Sequence, residues 1–351
     1  MQVDHLIVGQ GLSGTLLSYY LLREGKSVMV IDDGDPAISS KVAAGVINPV
    51  TGKRLVRTWM IEELLPFAQD AYTVIENELD VALVQECDIL DLHLTQEMSD
   101  IFHEKQPKEA QYLHHVSDES KWTEYFRFNY GISKISPCLL VDLATLLSSW
   151  RERLQEDENL LEQRFSWDDV EVRKDKVFYK DITAGNIIMC NGAGCNDDPY
   201  FNLLPWSKDK GEALIASIPG LPRTHIYKHG VSIVPWNDDL FWIGATHDWK
   251  FTDMQLTPAF RKQTEEQLNY WLKLPYTIVD HIVAQRPANV ERKPFVGFHP
   301  VHTRVGIFNG MGSKGCSVAP YFAHEFALHL AYGTPILPEV DIKRFTKILS
   351  R

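Results

Sequence analysis

Gly9, Gly11 and Gly14 follow the apolar run His5 to Val8 in the spacing G-x-G-x-x-G, and Asp32 stands 18 residues beyond Gly14. Each glycine has a separate use at that spacing. Gly9 permits a tight turn, Gly11 lets the backbone approach a pyrophosphate closely, and Gly14 allows a helix to pack against a strand. Leu12 and Ser13 open a helical pattern that ends near Gly25, so the positive end of that helix faces the phosphates. A second strand, Ser27 to Ile31, delivers Asp32, whose carboxylate can accept from both ribose hydroxyls of an adenosine and would repel a 2′-phosphate. Asp33 reads as an exposed turn residue ahead of Gly34, with a direct ribose contact as the alternative. The unit predicts dinucleotide binding, against a purely structural glycine turn, and does not separate FAD from NAD.

Two further stretches share this organisation of an apolar run leading into a glycine cluster. Residues 186 to 194 end in Gly192, Ala193 and Gly194, and residues 305 to 315 end in Gly310, Met311, Gly312, Ser313, Lys314 and Gly315. Together with residues 5 to 14 they are expected to meet in space. After the last cluster, Ala319, Phe322, Ala323, Phe326, Ala327 and Leu330 recur at spacings of three and four, one apolar face of a helix. Pro320 is placed in its first turn. Such a turn offers backbone N–H groups and a positive dipole end to a negatively charged group; an ordinary strand-to-helix turn is the other reading.

The elements that position these residues come from a chain of 351 residues, enough for about two domains. Hydrophobic residues make up 44% and charged residues 23%, as in globular proteins. Lys plus Arg is 35 against 47 Asp plus Glu, a net charge of −12 that weighs against a nucleic-acid partner. The five cysteines are scattered without a C-x-x-C pair, which argues against a disulfide framework or zinc site and for a reducing compartment. No apolar run reaches membrane-spanning length. The stretch Leu6 to Leu22 lacks a basic leader and a cleavage site, so a cytoplasmic location is expected. Val231 to Trp236 and Leu240 to Gly244, separated by Asn237, Asp238 and Asp239, predict a hairpin. Residues 257 to 273, with Thr257 as cap and Pro258 in the first turn, predict a helix. His247 and Asp248 are adjacent, and neighbours on a strand point to opposite faces, so no metal site is expected.

The segment Ser40, Lys41, Val42, Ala43, Ala44, Gly45, Val46 resembles the SKAAAGM-like loop of the D-amino-acid oxidase superfamily, glycine oxidase being the nearest type. The resemblance continues through Gly192–Gly194, KGEAL at Lys210, SIVP at Ser232, GATHDW at Gly244, RPANVERKPFVGFHP from Arg286, and NGMGSKGCSVAP. These islands keep the family's order over nearly the whole chain, with little signal between residues 50 and 185. The resemblance implies an α/β and α+β fold. A Rossmann-like FAD-binding domain (1–61, 131–210 and 286–351) would carry a discontinuous second domain (62–130 and 211–285) on a mainly antiparallel sheet. It further implies FAD, with its flavin at the junction, and oxidation of the C–N bond of a small amino acid or secondary amine by hydride transfer. The electron acceptor is left open. No general base is assigned, because the amine need only be unprotonated when bound.

By the same resemblance Ser40, Lys41, Ala44, Gly45 and Val46, with the two later glycine clusters, would contact the flavin. Arg286 matches the arginine that pairs with the substrate carboxylate, and Lys314 lies near a second basic position. Ser232 replaces a tyrosine that contacts the carboxylate; Tyr227 or His229, upstream, is a candidate to compensate, and a simply packed side chain in a β-rich segment is the other reading of each. Val46 replaces a methionine, and Cys195 and Asn196 replace an aromatic residue. Cys316 does not match the attaching cysteine of relatives with covalent flavin, so noncovalent FAD is expected. Three other readings stay open: an FAD enzyme that removes a carboxymethyl group from a modified tRNA uridine, an NAD dehydrogenase, and a flavin-binding protein without amine oxidase activity.

Overall fold

The computed structural model describes residues 1–351. Its first sheet is built on three parallel strands, Gln2–Val8, Ile182–Met189 and Val305–Asn309, which are the three runs that lead into glycine clusters. Val28–Asp32 and then Leu160–Glu162 extend it in parallel on one side. Val177–Tyr179 and Phe295–Phe298 add antiparallel strands on the other. Val8 lies opposite both Ile31 and Met189, and Met189 opposite Ile307, so the strands end level and their glycine turns share one edge. Alternate residues enter different cores: Ile7, Val30 and Ile188 one, Leu6, Val8, Ile31 and Met189 the other. Burial on both faces is what a near-continuous apolar strand dictates.

Two helices cover one face. Leu12–Arg23 buries Leu16, Leu17 and Leu21 against Gly315–Tyr332, which contributes Ala319, Phe322, Ala323 and Phe326. The second helix begins at Gly315, so Pro320 falls in its second turn, not the first as the pattern suggested. Proline there cannot donate to the carbonyl of Cys316, four residues back. The Tyr72 hydroxyl, from the helix Ile61–Leu79, donates to that carbonyl instead at 2.9 Å.

The second sheet has eight strands in the order Thr277–Asn289, Trp206–Ser217, Leu240–Gly244, Val231–Pro235, Ile226–His229, Ile89–Leu92, Ile132–Ile135, Leu113–His115. All neighbours are antiparallel except Ile226–His229 with Ile89–Leu92. The expected hairpin is the pair Val231–Pro235 and Leu240–Gly244, and the expected helix is Pro258–Trp271. Thr257 stands at its cap position, but its hydroxyl goes to Glu212. The helix covers one face through Phe260, Leu268 and Trp271, which pack with Leu214, Tyr227, Ile233 and Ile243. The other face turns toward the edge of the first sheet. Sheet membership places Ile132–Ile135 and Trp206–Lys210 with the second sheet, across the division drawn at residues 131 to 210. We propose that the domain boundary follows the sheets.

Candidate functional site

A cleft of about 1040 Å³ runs along the glycine-bearing edge of the first sheet and reaches the uncovered face of the second. At one end Gly9 adopts φ +97°, and a Cβ on Gly14 would stand 1.8 Å from the Gly9 carbonyl oxygen, so both positions require glycine. A Cβ on Gly11, which lines the cleft, would come no closer than 3.2 Å to any neighbour, Ser40 Oγ being the nearest. No side chain caps the helix at Gly11, and the Leu12 N–H donates to Ser40 Oγ at 3.0 Å. The turn is thus a cradle of backbone donors at a positive helix end, the chemistry a pyrophosphate needs.

Asp32 is more committed than its position in sequence suggests. Oδ2 accepts from the Gln10 N–H at 2.7 Å; Oδ1 accepts from the Gly34 N–H and from Arg151 Nη1, each at 2.8 Å. A carboxylate has about four acceptor positions, which leaves one ribose hydroxyl to be accepted and not two. Arg151, which also pairs with Glu162 at 2.9 Å, sets the rotamer of Asp32 from 119 residues away. Asp33 is exposed and lines the cleft, as do Arg164, Phe165 and Trp167 beside it.

Farther along, Ser40, Ala44, Gly45 and Val46 line the cleft. Gly45 has φ +78°, and a Cβ there would lie 2.0 Å from the Val141 carbonyl oxygen. Lys41 turns away: its Nζ donates to the carbonyls of Gly34 and Asp35, each at 3.0 Å, and it stabilises the loop instead of facing the cleft. Trp242 Nε1 donates to the Val42 carbonyl at 3.0 Å and ties the second sheet to this loop.

Gly192, Ala193 and Gly194 also line the cleft, with Met311, Gly312, Ser313 and Gly315. Asn309 joins the two turns by donating to the Gly192 carbonyl at 2.9 Å, and Asn289 donates to the Gly310 carbonyl at 2.9 Å. Gly310 therefore holds the turn from behind. Lys314 does so too, since its Nζ reaches Asn48 Oδ1 at 3.2 Å and Thr58 Oγ1 at 3.3 Å, and burial draws its ammonium down to about 8. Cys316 lies on the cleft wall with its thiol pushed up to about 12 by burial.

The second-sheet wall carries Arg286. Its guanidinium crosses Gly211, where a Cβ would lie 2.3 Å from Nη2, so glycine makes the slot in which it lies. Nη1 donates to the Thr246 carbonyl at 3.0 Å and stands 3.1 Å from Oδ1 of the buried Asp209. Asp209 Oδ2 in turn meets His247 Nδ1 at 2.8 Å, and His247 lines the cleft.

Tyr227 and His229 do not face the cleft. Side chains alternate along Ile226–His229, and these two point under the helix Pro258–Trp271. Tyr227 donates to the Pro222 carbonyl at 2.8 Å and packs on Phe126, while His229 stacks on Trp271. The alternate residues of the strand, Ile226 and Lys228, line the cleft with Ser232. Lys228, which sequence reasoning passed over, pairs with the buried Asp91 at 2.6 Å. The parity of the strand was legible, and the side occupied by the helix was not. Arg151, Asp209, Lys228, Trp242 and His247 were all missed as site residues, because each acts through contacts between distant strands or loops.

A family model described as FAD dependent oxidoreductase matches residues 4–328. Among solved structures, iminodiacetate oxidase from Chelativorans sp. BNC1 is similar at 20% identity and TM-score 0.76, over 96% of this chain and 98% of that one. Glycine oxidase from Geobacillus kaustophilus is similar at 17% identity and TM-score 0.78, over 95% and 96%. L-proline dehydrogenase from P. horikoshii is similar at 15% identity and TM-score 0.76, over 99% and 98%. At these identities the likeness is one of fold. No helix is long and apolar enough to cross a membrane.

Proposed function

The chain belongs to the family of FAD dependent oxidoreductases, and on that premise we propose that it oxidises the C–N bond of a small amino acid or secondary amine. The observation that carries the substrate class is Arg286. It lies on the cleft wall in a glycine slot, with one nitrogen fixed by Thr246 and Asp209 and its remaining N–H groups available to a carboxylate. The structures of similar fold include an iminodiacetate oxidase and a glycine oxidase, names that agree with a carboxylate-bearing amine.

FAD fits the residues present. The Gly9–Gly14 cradle would hold its pyrophosphate and Asp32 a ribose hydroxyl. The Ser40–Val46 loop with the Gly192–Gly194 and Met311–Gly315 turns would hold the flavin. Bound there, the flavin supplies the two-electron acceptor for the hydride that leaves the substrate carbon. Arg286 fixes the carboxylate and with it the α-carbon, so the chain contributes chiefly orientation and exclusion of water. The high thiol pKa of Cys316 disfavours a thiolate nucleophile, which supports noncovalent FAD.

The test is the visible spectrum of the purified protein under anaerobic conditions, before and after glycine, sarcosine or a D-amino-acid mixture. Flavin bands that bleach are the expected result. Bands that persist with every amine would remove the amine-oxidising reading while leaving the family intact.

A further inference from the structure

Asp209 is 4% exposed and faces the Arg286 guanidinium with one oxygen and the His247 imidazole with the other. A buried carboxylate hydrogen-bonded to Nδ1 of a histidine does two things to that ring. It fixes the ring orientation and places the proton on Nδ1, which leaves Nε2 as the acceptor. His247 is not a packed core residue: its side chain is 46% exposed, lines the cleft, and stacks on Trp249 at 5.8 Å between ring centroids. Its Nδ1 is 3.4 Å from Arg286 Nη1. A carboxylate held by Arg286 therefore brings the adjacent amino group into the neighbourhood of this ring.

We propose that His247, oriented by the buried Asp209, takes the proton from the ammonium group of the amino-acid substrate whose carboxylate Arg286 holds. This rests on the amine-oxidising reading above. The step balances without any further reactant. The N–H bond of the ammonium breaks, a bond from that proton to Nε2 forms, and the substrate nitrogen recovers the lone pair it needs before hydride can leave the neighbouring carbon. Charge balances as well. The groups that face His247 are Asp209 from the strand Trp206–Ser217 and Arg286 from Thr277–Asn289, while the Asp248 carboxylate turns back to the Lys250 N–H. Imidazolium and guanidinium together meet one carboxylate from Asp209 and one from the substrate, so the proton is accepted without a net charge being left in the cleft. His247 is thus a catalytic residue and Asp209 a positioning residue for both His247 and Arg286.

The experiment is anaerobic stopped-flow bleaching of the FAD-loaded protein by sarcosine and glycine across the neutral to alkaline range, for the wild type and His247→Gln. In the wild type the ammonium form is used, so the bleaching rate is nearly flat below the amine's own titration. In the variant only free amine reacts, so the rate should rise about tenfold per pH unit and approach the wild type at alkaline pH. Asp209→Asn should show the same slope in weaker form. Acetate, which has no amine, is titrated against the visible spectrum of both proteins and should bind His247→Gln within about threefold of the wild type. Identical pH slopes in the two proteins would overturn the proposal, and so would loss of acetate binding in the variant, which would make the residue part of the carboxylate clamp. Absence of bleaching in both proteins would instead remove the amine-oxidising reading, and this inference with it.

Discussion

Lys314 is a cation in an adverse place. Its two partners, Asn48 and Thr58, are neutral, it precedes the first residue of the helix Gly315–Tyr332, where the helix dipole is positive, and burial lowers its pKa from 10.5 to about 8. Because the folded value lies below the unfolded one, the unfolded chain holds more protons between these values, and stability rises with pH across that window. Below about pH 8 the full penalty is present. Lys314→Met should therefore be more stable than the wild type at neutral pH by up to about 3 kcal/mol, and that advantage should vanish by the unfolded value near 10.5. Urea titrations of the two FAD-free proteins at neutral and alkaline pH measure the difference; a difference independent of pH would mean that the charge is not what burial penalises.

At the scale of elements, the helix Gly315–Tyr332 depends on a side chain outside it. Pro320 leaves the Cys316 carbonyl without its helical donor, and the Tyr72 hydroxyl replaces it. Tyr72→Phe keeps the ring and removes that bond, leaving a buried carbonyl unsatisfied, and should destabilise the fold by about 1–3 kcal/mol in chemical denaturation. An unchanged midpoint would show that water or the backbone satisfies the carbonyl. Elements of this kind divide what could be read in advance from what could not. The three strands and their turns were legible because glycine spacing and continuous apolar runs are local properties. The helix start at Gly315 was not, because the Gly312–Lys314 segment coils as a 3-10 turn and feeds the helix without a break. Ile226–His229 shows the same limit: alternation separates Tyr227 and His229 from Lys228, but only the tertiary position of Pro258–Trp271 decides which pair meets the cleft.

The two sheets meet through direct bonds such as Trp242 Nε1 to the Val42 carbonyl, and through one apolar core that draws Ile7, Ile188 and Phe308 from the first and Ala213, Ile215 and Val234 from the second. A ligand that touches the glycine edge of one sheet and the open face of the other would add contacts that the folded chain lacks without it. Saturation with FAD at 100 times its dissociation constant should add about 2.7 kcal/mol, raising the melting temperature by several degrees in a single calorimetric transition. Two transitions, only one of them moved by FAD, would show that the sheets melt separately and that the cofactor engages one of them. The candidate site was legible in sequence where it consists of backbone, at Gly9, Gly45 and Gly192–Gly194. It was illegible where it consists of pairings such as Arg151 with Asp32 or Asp209 with His247, whose partners are far apart in the chain and lie in contact only once the sheets form.

The order of the three parallel strands has a consequence in time. Ile182–Met189 is flanked by Gln2–Val8 and, along its last residues, by Val305–Asn309. A ribosome makes these segments in sequence, so when the middle strand emerges its partner from the start of the chain is waiting and its other neighbour does not yet exist. For more than a hundred residues of synthesis the nascent chain carries an open strand edge and two of its three glycine turns. The cofactor cradle can close only after Val305–Asn309 and the turn that follows it have been made, so cofactor capture waits for their synthesis and not for that of the first two strands.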